Sequence, residues 1–358
     1  MRAAVYHGRE DVRIEELDED EVGPGEVRVD VGFCGICGTD IHEYAHGPVT
    51  IPDGKPHPVT GETLPVTLGH ELSGTVAETG EGVDDLPVGE RVAVNPLFSC
   101  GTCRYCEEGR YALCDSLVSL GLHGRGGGFA DSVVVPAENV VSLPEGVSLE
   151  EAALVEPLSV AVHAVRRSGV TTGDSVAVFG AGPIGLGVLQ AAVATGAGDV
   201  YVIEPRDARR ERAEALGATG TVDPAERDPV RFVSAATEGG VDVAIDAAGT
   251  EPTMTQAVRA SKKAGTVVIV SFFGREVEFN PDFVMMAERS VVGSFGYAAG
   301  PLSRRGEFAA TIGMLRDGRL DARPLVTKRV PLGDVTEGFR ALLDPDGGHI
   351  KVVVDPGE

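Results

Sequence analysis

Four cysteines stand at Cys100, Cys103, Cys106 and Cys114, in the run SCGTCRYCEEGRYALC. The spacing C-x2-C-x2-C-x7-C lets one segment wrap four thiolates around a single tetrahedral zinc. Four protein ligands leave no position for a substrate, so this lobe reads as a structural zinc site. A second set of metal-binding residue types is more dispersed. It comprises Cys37 in GICGTD, His70 and Glu71 in GHE, and Glu156 in VEPL. One thiolate, one imidazole and one or two carboxylates suffice for a catalytic zinc with an open position. Asp40 could then orient His70 from behind. Taken singly, Cys37 could be a small buried residue, His70 a core histidine and Glu156 a helix-start carboxylate. Cys34 and Cys37 also make a C-x2-C step that could be a redox pair.

A glycine fingerprint follows at Gly180, Gly182 and Gly185, in GAGPIG with Pro183 and Ile184. It sits after the strand-like run Val176 to Phe179 and opens a helical pattern, the context in which such a motif binds a dinucleotide. Gly180 suits the tight turn, Gly182 lets backbone amides approach a pyrophosphate, and Gly185 lets helix and strand pack closely. The helix N-terminus adds partial positive charge. Glu204 ends the next strand, about 20 residues beyond Gly185, where a carboxylate accepts from ribose hydroxyls and repels a 2′-phosphate. That favours NAD over NADP. Arg206 and Arg209 could reach a 2′-phosphate, or face solvent at a helix start.

Two kinds of rhythm must position these groups. Residues 1 to about 150 carry short β-like runs with turn signals: AAVYHG, VRIEEL, GPGEVRVDVGF, SGTVAETG, GERVAVN and ADSVVVP. They predict a compact antiparallel, barrel-like domain. From about Thr172 strands alternate with helices: SVAVFG, PIGLGVLQAAVATG, DVYVIEP, ARRERAEALGA, DVAIDAAG and GTVVIVSFF. This alternation predicts a parallel doubly wound sheet, so the chain is of the α/β class. The tail from 300 to 358 returns to mixed structure, and HIKVVVD is expected to rejoin the first domain.

Composition narrows the function classes. The 358 residues carry 55 Asp and Glu against 31 Lys and Arg, a formal net charge of −24. Phosphate binding needs an excess of cations, so nucleic acid is excluded as a partner. The balance suits an acidic enzyme adapted to very high salt, where counterions screen self-repulsion within about 3 Å. No N-terminal targeting signal is visible and the cysteines suit metal ligation in a reducing compartment, so a cytoplasmic location is expected. Ser175 to Gly198 holds no charged residue. Its glycines and Pro183 read as strand, turn and helix rather than a membrane span.

In this order, GxCGTD, GHE, the four-cysteine lobe, VEPLSVAVHA and GxGxxG resemble the zinc-containing medium-chain alcohol and polyol dehydrogenases over essentially the whole length. The resemblance implies a GroES-like catalytic domain over 1–155 and 297–358, and a Rossmann NAD-binding domain over 156–296. It implies that Cys37, His70 and Glu156 bind a catalytic zinc, with Glu71 an intermittent ligand. Thr39 and His42 would form the proton relay, although His42 could be a plain surface histidine. It also implies a dimer or tetramer, often through the edge of the nucleotide-binding sheet. The long insertion HEYAHGPVTIPDGKPHPVTGETLPVTLGHE is most similar to that of the (R,R)-2,3-butanediol dehydrogenases. The expected reaction is therefore NAD-dependent oxidation of a vicinal secondary diol. Threonine, sorbitol, glucose or a simple secondary alcohol are the alternative substrates, and a non-catalytic NAD-binding protein is the remote alternative.

Overall fold

The computed structural model describes residues 1–297 and 303–358, which fall into two compact units. The first comprises 1–156, 303–317 and 325–358, and the second 157–297 and 318–324.

The first unit is built on the ten-residue strand Glu26–Gly35. Its valines at 27, 29 and 31 are buried in alternation with more exposed residues, the period of a half-buried strand. It pairs with three others: Glu71–Thr79, Ser132–Pro136 and the C-terminal Lys351–Asp355. The sheet runs in the order Val140–Ser142, Arg91–Val94, Glu71–Thr79, Glu26–Gly35, Lys351–Asp355, Val326–Pro331. The strand Ser132–Pro136 lies off this path. Tyr6, Leu72, Phe129 and Phe339 are among its fully buried core side chains. The sheet is not wholly antiparallel, because Val326–Pro331 and Lys351–Asp355 run parallel. The reason is local. The helix Val335–Leu343 joins the two strands and packs on both, so the chain makes a crossover rather than a hairpin.

The second unit is a six-stranded sheet in the order Gly220–Val222, Val200–Ile203, Val176–Phe179, Val241–Asp246, Ser261–Ile269, Ser290–Gly293. Every pairing in it is parallel. The central strand Val176–Phe179 is buried at all four positions, as a strand covered on both faces must be. Strand order reverses between this strand and Val241–Asp246, which makes the ends of these strands a topological switch point. The uncharged run 175–198 resolves into the strand Val176–Phe179, a turn and the helix Pro183–Thr195. Among the described residues no helix is long and apolar enough to cross a membrane.

Candidate metal and cofactor centres

The four-cysteine lobe lies between the paired short strands Leu97–Phe98 and Val118–Ser119. Its four Sγ atoms all lie within 4.8 Å of one another. Cys103 and Cys106 are 3.6 Å apart, and Cys100 and Cys106 4.0 Å. Four sulfurs around one zinc at Zn–S distances of about 2.3 Å stand about 3.8 Å apart, so the donor set fits. Backbone N–H groups of Cys103, Cys100 and Ser116 donate to the sulfurs of Cys100 and Cys114. Hydrogen bonds from Thr102 and Cys103 draw the Cys100 thiol down to about 6, whereas burial pushes Cys114 up to about 12. A dication bound among the four sulfurs would balance the charge of four thiolates.

The dispersed set is assembled by one helix and one strand of the first unit. Cys37 is the N-cap of the helix Gly38–His46. Asp40, fully buried in that helix's first turn, accepts the Cys37 N–H at 2.9 Å through one carboxylate oxygen. Its other oxygen stands 3.6 Å from Nδ1 of His70, which is buried just ahead of the strand Glu71–Thr79. Neither of these two facing atoms has a hydrogen bond. Burial opposes charge on His70, but Asp40, Cys37 and Glu156 outweigh it and hold the imidazole pKa well above 6.5. Burial also raises Asp40, against the pull of His70 and the Cys37 amide. The negative groups that favour a proton on His70 are those a dication would satisfy in its place. Thr39 Oγ1 lies 3.7 Å from Cys37 Sγ. Glu156 opens the helix Val155–Ser168 and is half-buried. His42 is exposed on the Gly38–His46 helix.

Glu71 is held differently. Both its carboxylate oxygens accept from Lys351 Nζ at 2.7 Å, and Lys351 also donates to the Ile36 carbonyl at 2.9 Å. Strand register explains the meeting, since Gly35 lies opposite both Glu71 and Val353. Both side chains are nearly inaccessible, 2% and 1% exposed. Thus the fold gathers Cys37, Asp40 and His70, brings Glu156 within electrostatic reach of His70, and turns Glu71 toward a lysine. Among the described residues, only the four cysteines form a set of three or more such groups with their ligand atoms within 4.8 Å of one another.

Two buried charged residues beside the site escaped sequence reasoning. Lys351 is a lone cation in the apolar run HIKVVVD, and that anomaly was the available signal. Glu43 is fully buried and accepts from the N–H groups of Val49 and Thr50 at 2.7 and 2.6 Å. It ties the start of the insertion to the Gly38–His46 helix. At the insertion's far end Glu62 accepts from Arg125 N at 2.9 Å, and His57 stacks on His123 with centroids 4.7 Å apart.

In the second unit Gly180 has φ of +94°, and a side chain at Gly185 would collide with the Gly180 carbonyl. Gly182 is the N-cap of the helix Pro183–Thr195, with Pro183 and Ile184 in its first turn. A Cβ at Gly182 would meet only the Arg209 guanidinium, at 4.0 Å, so the space beside the loop is open to a ligand. Glu204 is buried and accepts from Ala181 N at 2.8 Å and Arg206 N at 3.1 Å. The carboxylate is thus fixed against the glycine turn. Burial and neighbouring Arg206 lower the Arg209 pKa. The loop and its acid fit a dinucleotide.

Comparison with known proteins agrees with this geometry. The alcohol dehydrogenase GroES-like domain family matches residues 23–145, and the zinc-binding dehydrogenase family matches 183–316. An (R,R)-butanediol dehydrogenase of Bacillus subtilis (strain 168) is 44% identical, over 99% of this chain and 100% of its own. One from Neisseria gonorrhoeae is 39% identical, over 99% of both chains. The crystal structure of 2R,3R-butanediol dehydrogenase from Bacillus subtilis superposes with a TM-score of 0.91 at 43% identity, over 99% of both chains. A putative zinc-binding dehydrogenase from Sinorhizobium meliloti, bound to NADP, gives 0.87 at 34%, also over 99% of both. By motif, fold and full-length similarity, this chain belongs to the zinc-binding alcohol dehydrogenase family.

Proposed function

We propose that the protein oxidises 2,3-butanediol to acetoin with NAD, using one catalytic and one structural zinc. The observation that carries this reading is the cluster of half-buried Cys37 with fully buried Asp40 and buried His70, beside an insertion tied down at both ends. The full-length relatives named as butanediol dehydrogenases support the diol as substrate.

Cys37, His70 and Glu156 hold the catalytic zinc in this reading, and Glu71 is the alternative ligand. A bound zinc supplies the Lewis acid that makes an alcohol hydroxyl acidic near neutrality, and NAD supplies the hydride acceptor. Asp40 stands 3.6 Å from His70 Nδ1, so a small approach would let it accept the Nδ1–H and present the opposite ring nitrogen to the metal. The hydroxyl proton leaves by relay: Thr39 accepts it while donating its own to the nicotinamide ribose, and His42 takes a proton on from there to solvent. Glu43 and Glu62 fix the insertion, which sets the shape offered to the second carbinol. Lys351 engages both Glu71 oxygens, so Glu71 would reach the metal only once that contact opens.

NAD is proposed over NADP because Glu204, at the end of the second strand, is the position from which a carboxylate accepts from ribose hydroxyls and repels a 2′-phosphate, and two amides hold it there. Gly180, Gly182, Pro183, Ile184 and Gly185 cradle the pyrophosphate, with Arg209 beside them. We assign 1–155 and 297–358 to the catalytic domain and 156–296 to the NAD domain. A homo-oligomer, dimer or tetramer, is proposed through the edge strand Ser290–Gly293. There Val291 is 40% exposed, and Phe272, Met285, Met286 and Phe295 are also exposed. A cytoplasmic setting is proposed from cysteines suited to metal ligation in a reducing compartment, and a high-salt one from the acidic composition.

The test is NADH formation in molar KCl with zinc. The panel is (R,R)-, meso- and (S,S)-2,3-butanediol, threonine, sorbitol, glucose and 2-propanol, with NADP in parallel. A marked preference for one butanediol isomer with NAD is expected. Preference for a sugar or threonine would overturn the substrate, and no turnover of any alcohol would overturn the catalytic reading.

A further inference from the structure

The Gly38–His46 helix carries the run His42-Glu43-Tyr44-Ala45-His46, an H-E-x-x-H pattern. On a helix this spacing puts both imidazoles on one face. Here both histidines are exposed, and their ring centroids lie 6.2 Å apart. In a metalloprotease the intervening glutamate serves as general base beside the metal. Glu43 does the opposite. It is buried, and its carboxylate is occupied by the amides of Val49 and Thr50 and the Thr50 hydroxyl. Peptide hydrolysis is therefore excluded, while the two imidazoles remain on the outer face.

We propose that His42 and His46 form an additional divalent-cation site, separate from the two metal centres above, and that its occupation inhibits turnover. Several features favour a cation there. Two imidazoles at i and i+4 suit borderline ions such as Ni²⁺, Cu²⁺ and Zn²⁺. Ligation of one ion at about 2.1 Å from each nitrogen brings the centroids to about 5 Å, a change that side-chain rotation in two exposed residues can supply. His46 is the last residue of the helix, where the carbonyl end of the dipole favours positive charge. Glu43 accepts the amides of the following strap and so fixes the backbone that carries both rings. The net charge of −24 draws cations to the surface. Two protein ligands leave the remaining positions to water, so binding is weaker than at the four-cysteine site. The inhibitory part rests on the proposed role of His42 in proton transfer, because a ligated imidazole cannot shuttle a proton. The binding part does not depend on that role.

The test uses the zinc-loaded protein, titrated with Ni²⁺ by calorimetry, with zinc content measured before and after. One Ni²⁺ per chain is expected with no loss of zinc. His46→Ala and His42→Ala are each expected to weaken this binding at least tenfold. In turnover assays Ni²⁺ is expected to inhibit the parent over the range in which it binds. His46→Ala keeps its basal rate and needs at least tenfold more Ni²⁺ for the same inhibition. Unchanged Ni²⁺ binding in both variants, or binding only with release of zinc, would overturn the site. Binding that disappears in both variants, with no inhibition of the parent, would uphold the site and overturn both the inhibition and the proton-transfer role of His42.

Discussion

Replacing Lys351 with methionine tests how the first unit holds its charges. Lys351 and Glu71 are 2% and 1% exposed and meet at 2.7 Å. Methionine keeps most of the volume of the lysine stem and removes the charge, the two bonds to Glu71 and the bond to Ile36. The Glu71 carboxylate is then left buried and uncompensated. Breaking one side of a buried pair costs about 3–5 kcal/mol, far more than an exposed pair is worth. Neutralising both sides should recover most of that, so Glu71→Gln/Lys351→Met should lie well above Lys351→Met alone. A double-mutant cycle should give a coupling of about 2 kcal/mol or more. The chain has no tryptophan, so urea unfolding is best followed by far-ultraviolet circular dichroism. A single variant within about 0.5 kcal/mol of the parent, or a cycle that closes near zero, would refute the reasoning. The pair has a pH signature too. Burial opposes charge on Lys351, but Glu71 and Cys37 prevail and raise its pKa above 10.5. A folded-state pKa above the unfolded one stabilises fully below pH 10.5 and is lost as pH climbs through the folded value. The parent should therefore lose stability above about pH 10.5 by an amount that Lys351→Met does not show.

Cys103→Ser should release one zinc per chain and destabilise the protein by several kcal/mol before it affects turnover at low temperature; unchanged melting and unchanged zinc content would refute a structural metal in the lobe. Asp40→Asn should lower zinc affinity or turnover by about 10- to 100-fold, because His70 loses its orienting carboxylate; parental zinc retention and rate would remove Asp40 from that role. Asp242 is held at about 2 by hydrogen bonds from Lys262 and Ser175, which outweigh burial, so stability present above pH 3.8 should be lost as pH falls toward 2. Asp242→Asn should flatten this part of the acid transition, and an identical acid profile would count against the pair.

Much of the site was legible because its chemistry is local. The four cysteines lie within one short lobe, and their spacing alone dictates a common centre. The glycine turn is equally local. Gly180 needs its positive φ and Gly185 its missing side chain because strand, turn and helix follow without a break. Asp40 was legible as a partner of His70, since the start of one helix and the start of one strand need only meet. Lys351 and Glu43 were harder. The first acts on a residue far away in sequence, and the second acts on backbone amides of an irregular strap that no periodicity describes.

Sequence by itself determined which chemistry was available: thiolates, an imidazole and carboxylates at metal-binding spacings, and a glycine turn between strand and helix. It also determined the alternation that demands a parallel sheet. Only the tertiary structure decided how those groups are used. Register along Glu26–Gly35 sets Glu71 beside a strand from the far end of the chain, so that carboxylate meets Lys351. The crossover helix makes the C-terminal pair parallel, a pairing that the mixed pattern of the tail left open. The physical reason is the same in both cases. Spacing along a chain specifies contacts within a turn or a hairpin, whereas pairing between distant strands is selected by the burial of the whole sheet.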